Sequence, residues 1–180
     1  MLKTDITGVN IIQTGRQEQI QDLNVLPRWD RSLVDYHKYH QFVGQSGIRY
    51  EMTMQATRGC PYRCFYCDVQ HLTPMHRRRS VQNVFDEVKY LHDIGVRKSE
   101  FIDDAFNVNV KEFKAFFRKV IDSKMDMSFY FQSGLRGDLL DEEAIDLMVE
   151  GGTKSMNLSL ESASPRLQKL MGKYLRIERL

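Results

Sequence analysis

The chain has 180 residues, 42% of them hydrophobic and 28% charged, which suits one domain with a buried core and argues against a disordered tail, a fibre or a stalk. Its 26 basic and 24 acidic side chains leave a net charge of +2, so there is no electrostatic case for a dedicated nucleic-acid binder. No apolar run reaches the length of a bilayer and Asp5 interrupts the start, so neither a membrane anchor nor a signal peptide is expected.

In chain order, Ile6–Gln13 reads as a strand and Gly15 as a turn. Leu26–Pro27 and the run to Phe42 read as an extended linker plus a short helix. A boundary is expected near residue 50, with residues 1–49 a linker or remnant too small for a domain and 50–180 the core. From there, short apolar strands alternate with amphipathic helices. Tyr50–Thr57 is the first strand, with Met52, Met54 and Ala56 on one face. Ser80 caps a helix striped by Val81, Val84, Phe85, Val88 and Leu91, and Gly95 stops it. Ser99–Asp103 is the next strand, followed by a helix capped by Asn109 with Phe113, Phe116, Phe117, Val120 and Ile121 on one face. Met127–Gln132 is the third strand. Asp141 caps the helix after it, which Gly151–Gly152 closes. Ser155–Leu160 is the fourth strand, and Ser164–Pro165 starts the last helix.

Strand starts near 99, 127 and 155 imply a repeat of about 28 residues, one β-α unit each. The expected fold is therefore α/β: a parallel sheet with outer helices, curled toward a barrel or doubly wound. Ligands in such folds sit at the carboxyl ends of the strands. Cys60, Asp103, Asp104, Gln132 and Glu161 all fall at that rim.

All three cysteines lie in one loop, Cys60-Pro-Tyr-Arg-Cys64-Phe-Tyr-Cys67. An odd cluster within eight residues makes a poor disulfide framework and a good soft-metal site. Three thiolates can hold three corners of a 4Fe-4S cluster, leaving one iron open to a ligand. The competing reading is zinc completed by His71, giving a non-catalytic zinc- or iron-sulfur-binding module.

The run Thr57-Arg58-Gly59-Cys60-Pro61-Tyr62-Arg63-Cys64-Phe65-Tyr66-Cys67 resembles the cluster loop of the radical S-adenosylmethionine (radical SAM) superfamily. Phe101-Ile-Asp-Asp-Ala-Phe-Asn107 and Leu160-Glu161-Ser162-Ala163-Ser164 resemble its second-strand and fourth-strand segments, so the likeness covers residues 50–180. Leu26-Pro27-Arg28-Trp29-Asp30-Arg31-Ser32-Leu33 resembles the phrase that leads from a cobalamin domain into the barrel in the cobalamin-binding members. The resemblance implies a partial (β/α) barrel of the radical SAM type with about four β-α units present. It further implies a fragment without the cobalamin domain or the fifth and sixth units. The implied activity is reductive cleavage of S-adenosylmethionine to a 5′-deoxyadenosyl radical, serving methylation or cyclisation of a small metabolite. The implied cofactors are the cluster on Cys60, Cys64 and Cys67 and S-adenosylmethionine itself, with cobalamin left open.

The same resemblance puts the backbone at Tyr66 against the adenine with its ring buried, Asp103 and Asp104 near the cofactor's amino group, and Glu161 and Ser162 near its ribose. Gln132 joins them as a rim residue. No side chain is assigned a catalytic step of its own. Each has a plainer reading: Asp103–Asp104 as a turn cap, Ser162 and Ser164 as helix caps, Arg136 as a partner of Asp138 or a fork for a carboxylate. Asn107 and Asn109 read as turn and cap residues, and Arg77–Arg79 as a solvated basic face. His37, His40 and His92 have no ligand partner at useful spacing. A reducible cluster calls for a reducing compartment, so a cytoplasmic location is expected, with flavodoxin or ferredoxin as electron donor.

Overall fold

The computed structural model describes residues 2–4, 10–12, 15, 17–39 and 47–180. Strands β1 (Leu2–Thr4) and β2 (Asn10–Ile12) pair antiparallel. The rest of the Ile6–Gln13 strand lies outside the described residues, as do His40 and the end of the linker at Phe42. From 17 to 39 the chain is an arm with three 3-10 turns, at Leu23–Val25, Arg31–Leu33 and Tyr36–Tyr39. Asp22 and Asp30 cap the first two of them.

The body follows as β3 (Met52–Met54), β4 (Thr57–Arg58), α1 (Val69–Leu72), β5 (Arg77–Arg78), α2 (Val81–Asp93), β6 (Lys98–Phe101), α3 (Val110–Ser123), β7 (Ser128–Leu135), α4 (Glu142–Glu150), β8 (Thr153–Leu158) and α5 (Pro165–Leu170). Strands β3, β6, β7 and β8 lie side by side in chain order, and every neighbouring pair is parallel. This is the expected run of four β-α units. The helices begin where local chemistry allows. Ser80, Asn109, Asp141 and Ser164 accept from backbone N–H groups three residues on, at 3.1, 3.2, 2.9 and 3.4 Å, satisfying donors that a helix start leaves free.

The core lies between the sheet and the helices. Phe101, Phe129 and Phe131 from the strands meet Phe113, Phe116 and Phe117 from α3, all buried. Phe101 stacks on Phe106 and Phe131 at centroid distances of 4.7 and 5.2 Å and meets Phe116 edge-on at 5.5 Å. Offset and edge-on pairs of this kind add to the burial of apolar area.

Three departures from the sequence reading shape the rim. The expected strand over Tyr50–Thr57 breaks in two, because the N–H groups of Ala56 and Thr57 leave the sheet ladder and donate to the carboxylate of Asp103. Thr57–Arg58 then pairs antiparallel with Arg77–Arg78. The third strand runs to Leu135 rather than Gln132, which moves its rim to Ser133–Arg136.

The basic run is the third departure, since it is not a solvated face. Arg77 donates to the Ile20 carbonyl at 2.6 Å, and Arg78 donates to the Phe106 carbonyl and pairs with Glu112. Arg79 reaches Glu87 at 2.5 Å, and Arg31 of the arm reaches the same carboxylate at 3.3 Å. Guanidinium groups are held by charge-assisted contacts to carboxylates and carbonyls, and here those acceptors come mainly from α2, α3 and the arm.

Candidate metal and cofactor site

The cysteine loop begins at a backbone position that only glycine fits. Gly59 has φ +81°, and a Cβ there would lie 2.5 Å from the Met75 carbonyl oxygen and 2.7 Å from that of Thr73. Asp104 accepts from the Gly59 N–H at 3.1 Å and so fixes where the loop departs. Cys60, Cys64 and Cys67 are free, partly exposed thiols, and the Cys67 N–H closes a turn onto the Cys64 carbonyl at 3.0 Å. All three line one cleft of about 260 Å³ at the carboxyl edge of the sheet. Ser133, Arg136, Ser159, Glu161 and Lys173 line it as well.

Of the expected rim residues, Tyr66, Asp104 and Glu161 line this cleft. Glu161 accepts from the Lys173 ammonium at 2.6 Å and from the Tyr66 hydroxyl at 3.2 Å. The Lys173 contact holds the Glu161 carboxyl below its ordinary range, while burial, helped by the charges of Cys64 and Glu161, pushes the Tyr66 hydroxyl well up. Tyr66, whose ring is expected to be buried, is 47% exposed as a residue.

The other expected residues point elsewhere. Asp103 is 2% exposed and is spent on Ala56 and Thr57, including the Thr57 hydroxyl at 2.6 Å. Burial raises its carboxyl to about 6 against the pull of those hydrogen bonds. Gln132 stands before the true end of β7 and donates to Ser155 at 2.8 Å, off the cleft. Ser162 accepts from the Ser164 N–H at 3.2 Å, a turn contact.

The sequence reading gave no role to Tyr62 or Lys173 and left Arg136 open. Asn107, read as a turn residue, is instead buried and bonded to both sides of the Arg136 peptide. No local pattern flags these residues, because their partners lie on other β-α units.

The donor set suits a soft metal group: three thiols on one loop facing one cleft, with no imidazole among the described residues that line it. Burial raises the Cys60 thiol, and the neighbouring Cys64, Cys67 and Asp104 raise it further, the environment of a thiol that a bound metal would help to deprotonate. Among the described residues no three His, Cys, Asp or Glu side chains stand already gathered at metal-binding distance. His71 does not complete a zinc set. It pairs with Asp68 at 2.9 Å on an exposed helix and faces a separate groove beside Gln17, Gln19 and Gln21. The residues present therefore fit an iron-sulfur cluster held by Cys60, Cys64 and Cys67.

A parallel partial (β/α) barrel with a thiol-lined cleft at its strand ends defines a cofactor-dependent enzyme core of the α/β class. The chain belongs to the Radical SAM superfamily, which it matches over residues 54–180. Iron-sulfur and S-adenosylmethionine cofactors go with that membership.

It is 30% identical over 156 residues to an uncharacterised methyltransferase of Pyrococcus horikoshii, covering 86% of this chain and 32% of that protein. It is 32% identical over 129 residues to the cytidylyl-2-hydroxyethylphosphonate methyltransferase of Streptomyces wedmorensis, covering 70% and 24%. To the anaerobic magnesium-protoporphyrin IX monomethyl ester cyclase of a Synechocystis strain it is 26% identical, covering 86% and 30%. The chain thus spans a third or less of the curated relatives it matches. The radical S-adenosylmethionine methyltransferase TsrM of Kitasatospora setae, solved with cobalamin and a [4Fe-4S] cluster, has the same fold. The TM-score is 0.66 at 20% identity, over 81% of this chain and 29% of that one. Among the described residues no helix is long and apolar enough to cross a membrane.

Proposed function

We propose that residues 50–180 form the cluster- and S-adenosylmethionine-holding core of an enzyme that methylates or cyclises a small metabolite, with residues 17–39 an arm docked against it. The observation that carries this reading is the shared cleft, in which three free thiols face Asp104 and the Lys173–Glu161 pair. Two of the relatives named above are methyltransferases and one is a cyclase, which supports that range of reactions. Cobalamin enters through the structural neighbour, whose cobalamin-bound form shares this fold.

Cys60, Cys64 and Cys67 hold the cluster, which when bound supplies the electron for reductive cleavage of S-adenosylmethionine. Asp104 spends one oxygen on Gly59, and its other oxygen would be the acceptor for the cofactor's amino group. Glu161, kept ionised by Lys173, would accept from ribose hydroxyls. The backbone at Tyr66, which lines the same cleft, would lie along the adenine. Exposed thiols of this kind need a reducing compartment, and the electron arrives from a small carrier such as flavodoxin or ferredoxin.

Iron and sulfide counting after anaerobic reconstitution tests the reading, followed by a dithionite-driven assay for 5′-deoxyadenosine. About four irons per chain, lost on Cys64→Ala, is the expected result. Iron retained at full content in that variant, or zinc in place of iron, would overturn it.

A further inference from the structure

Arg136, at the end of β7, spends every nitrogen of its guanidinium group. Nε and NH2 donate to the two oxygens of Asp138 at 2.9 and 3.1 Å, a bidentate fork onto a carboxylate that is itself buried. NH1 donates to the Lys173 carbonyl at 2.9 Å, and NH2 also donates to that of Tyr174 at 3.1 Å. The face of the group lies over the Tyr62 ring, 3.9 Å from its centroid. Its peptide is clamped from the other side: Asn107 donates to the Arg136 carbonyl at 2.8 Å and accepts from its N–H at 3.1 Å.

Followed outward, these contacts close a ring around the cleft. Tyr62 belongs to the cysteine loop, between Cys60 and Cys64. Lys173, whose carbonyl Arg136 holds, extends its ammonium to Glu161, and Glu161 accepts from Tyr66, which returns to the loop beside Cys67. A backbone bond from Phe65 N–H to the Met171 carbonyl at 3.0 Å stitches the same two segments together.

We propose that Arg136 is a positioning residue that holds the cysteine loop and the Lys173–Glu161 arm at a fixed spacing across the cleft. Its fork is taken by Asp138, so it is not the group that receives a carboxylate from the cofactor. Only arginine meets the demand, because a planar group can donate in its plane to a carboxylate and two carbonyls while its face stacks on a ring. A lysine offers the charge without the plane. The proposal takes the cluster-and-cofactor reading of the cleft as its premise, and its test separates the two.

Amide hydrogen exchange on the cluster-free protein tests the ring. Arg136→Lys is expected to speed exchange roughly tenfold in both 60–67 and 171–175, the effect of losing charged hydrogen bonds on local opening, while α2 and α3 stay protected. Tyr62→Leu should loosen 60–67 alone, and Tyr62→Phe, which keeps the ring face, should behave as the wild type.

After reconstitution, Arg136→Lys should still load iron, but S-adenosylmethionine should perturb the reduced cluster's electron paramagnetic resonance spectrum only at about tenfold higher concentration. Wild-type exchange in both segments would overturn the proposal. So would a uniform rise that includes α3, since that is general destabilisation. Exchange as expected in a protein that never loads iron would uphold the ring and sink the cluster reading instead.

Discussion

On the helix-covered face of the sheet, Phe101, Phe129 and Phe131 pack against Phe113, Phe116 and Phe117 through stacked and edge-on contacts that each ring shares with several others. At the carboxyl rim of the same strands, the contacts are directional, each made by a named polar atom. Asp103 serves Ala56 and Thr57, Asp104 serves Gly59, Arg136 serves Asp138, and Lys173 serves Glu161. The aromatic face gains free energy in proportion to area and is indifferent to which atom meets which. The rim gains little per contact yet fixes where each group stands. Mutations in the first region should therefore cost stability and spare the cleft, and mutations in the second should do the reverse.

The largest effect is expected from Phe101→Ala, which empties the centre of the aromatic cluster. Such a truncation costs roughly 3–5 kcal/mol, read from the urea midpoint of the cluster-free protein. The fraction that remains folded should still load iron. Loss of loading at full folded population would show that the two regions are not separable in this way.

Asp103 tests the boundary between them, being a rim residue that is fully buried. Its carboxyl titrates near 6 in the fold and at 3.8 as an ordinary aspartate. Between those values the folded protein holds a proton that the unfolded chain has released. Stability from this group is therefore present below about pH 4 and is lost as pH rises through 6, by on the order of 2–3 kcal/mol. Asp103→Asn should flatten that slope between pH 4 and 6.5. An unchanged slope would mean that another group carries it.

Gly59→Ala is a smaller change in energy with a sharper local consequence. The left-handed backbone alone costs roughly 1–2 kcal/mol in a residue with a Cβ. The new methyl would also press on the Met75 and Thr73 carbonyls, so the start of the cysteine loop has to shift. Iron content should fall far more than the melting temperature. If both fall together, or neither does, the loop is not held by that cradle.

How far the sequence discloses each region follows from the same contrast. The caps at Ser80, Asn109, Asp141 and Ser164 and the stripes of α2 and α3 depend on residues three or four positions apart, so periodicity exposes them. The cysteine loop is contiguous and equally plain. The rim is not, because its partners come from different β-α units. Nothing local tells Asp103 from Asp104; the choice is made by β3 pairing with β6, which brings Ala56 and Thr57 beside the first carboxylate. Gln132 is the end of the third strand in the sequence reading, yet β7 continues past it to Leu135. Arg77–Arg79 looked solvated because Glu87 and Glu112 enter only when α2 and α3 fold back.

Lys173→Met should have the smallest effect on stability and the clearest on charge. Lys173 is buried along its length but its partner is half-exposed, so solvent already screens the pair, and the expected change in stability is within about 1 kcal/mol. The Glu161 carboxyl is held low chiefly by the Lys173 hydrogen bond, and its contribution is present above its ordinary value of 4.5 and lost as pH falls through the lowered one. Without the ammonium, its titration should move up toward 4.5, which carbon NMR of the labelled carboxyl would resolve. Glu161 also sits at φ +60°, a backbone state unfavourable for a residue with a side chain, so its place in the cleft depends on being held. If the titration does not move, Lys173 does not set the charge of Glu161, and the ring around the cleft is open on that side.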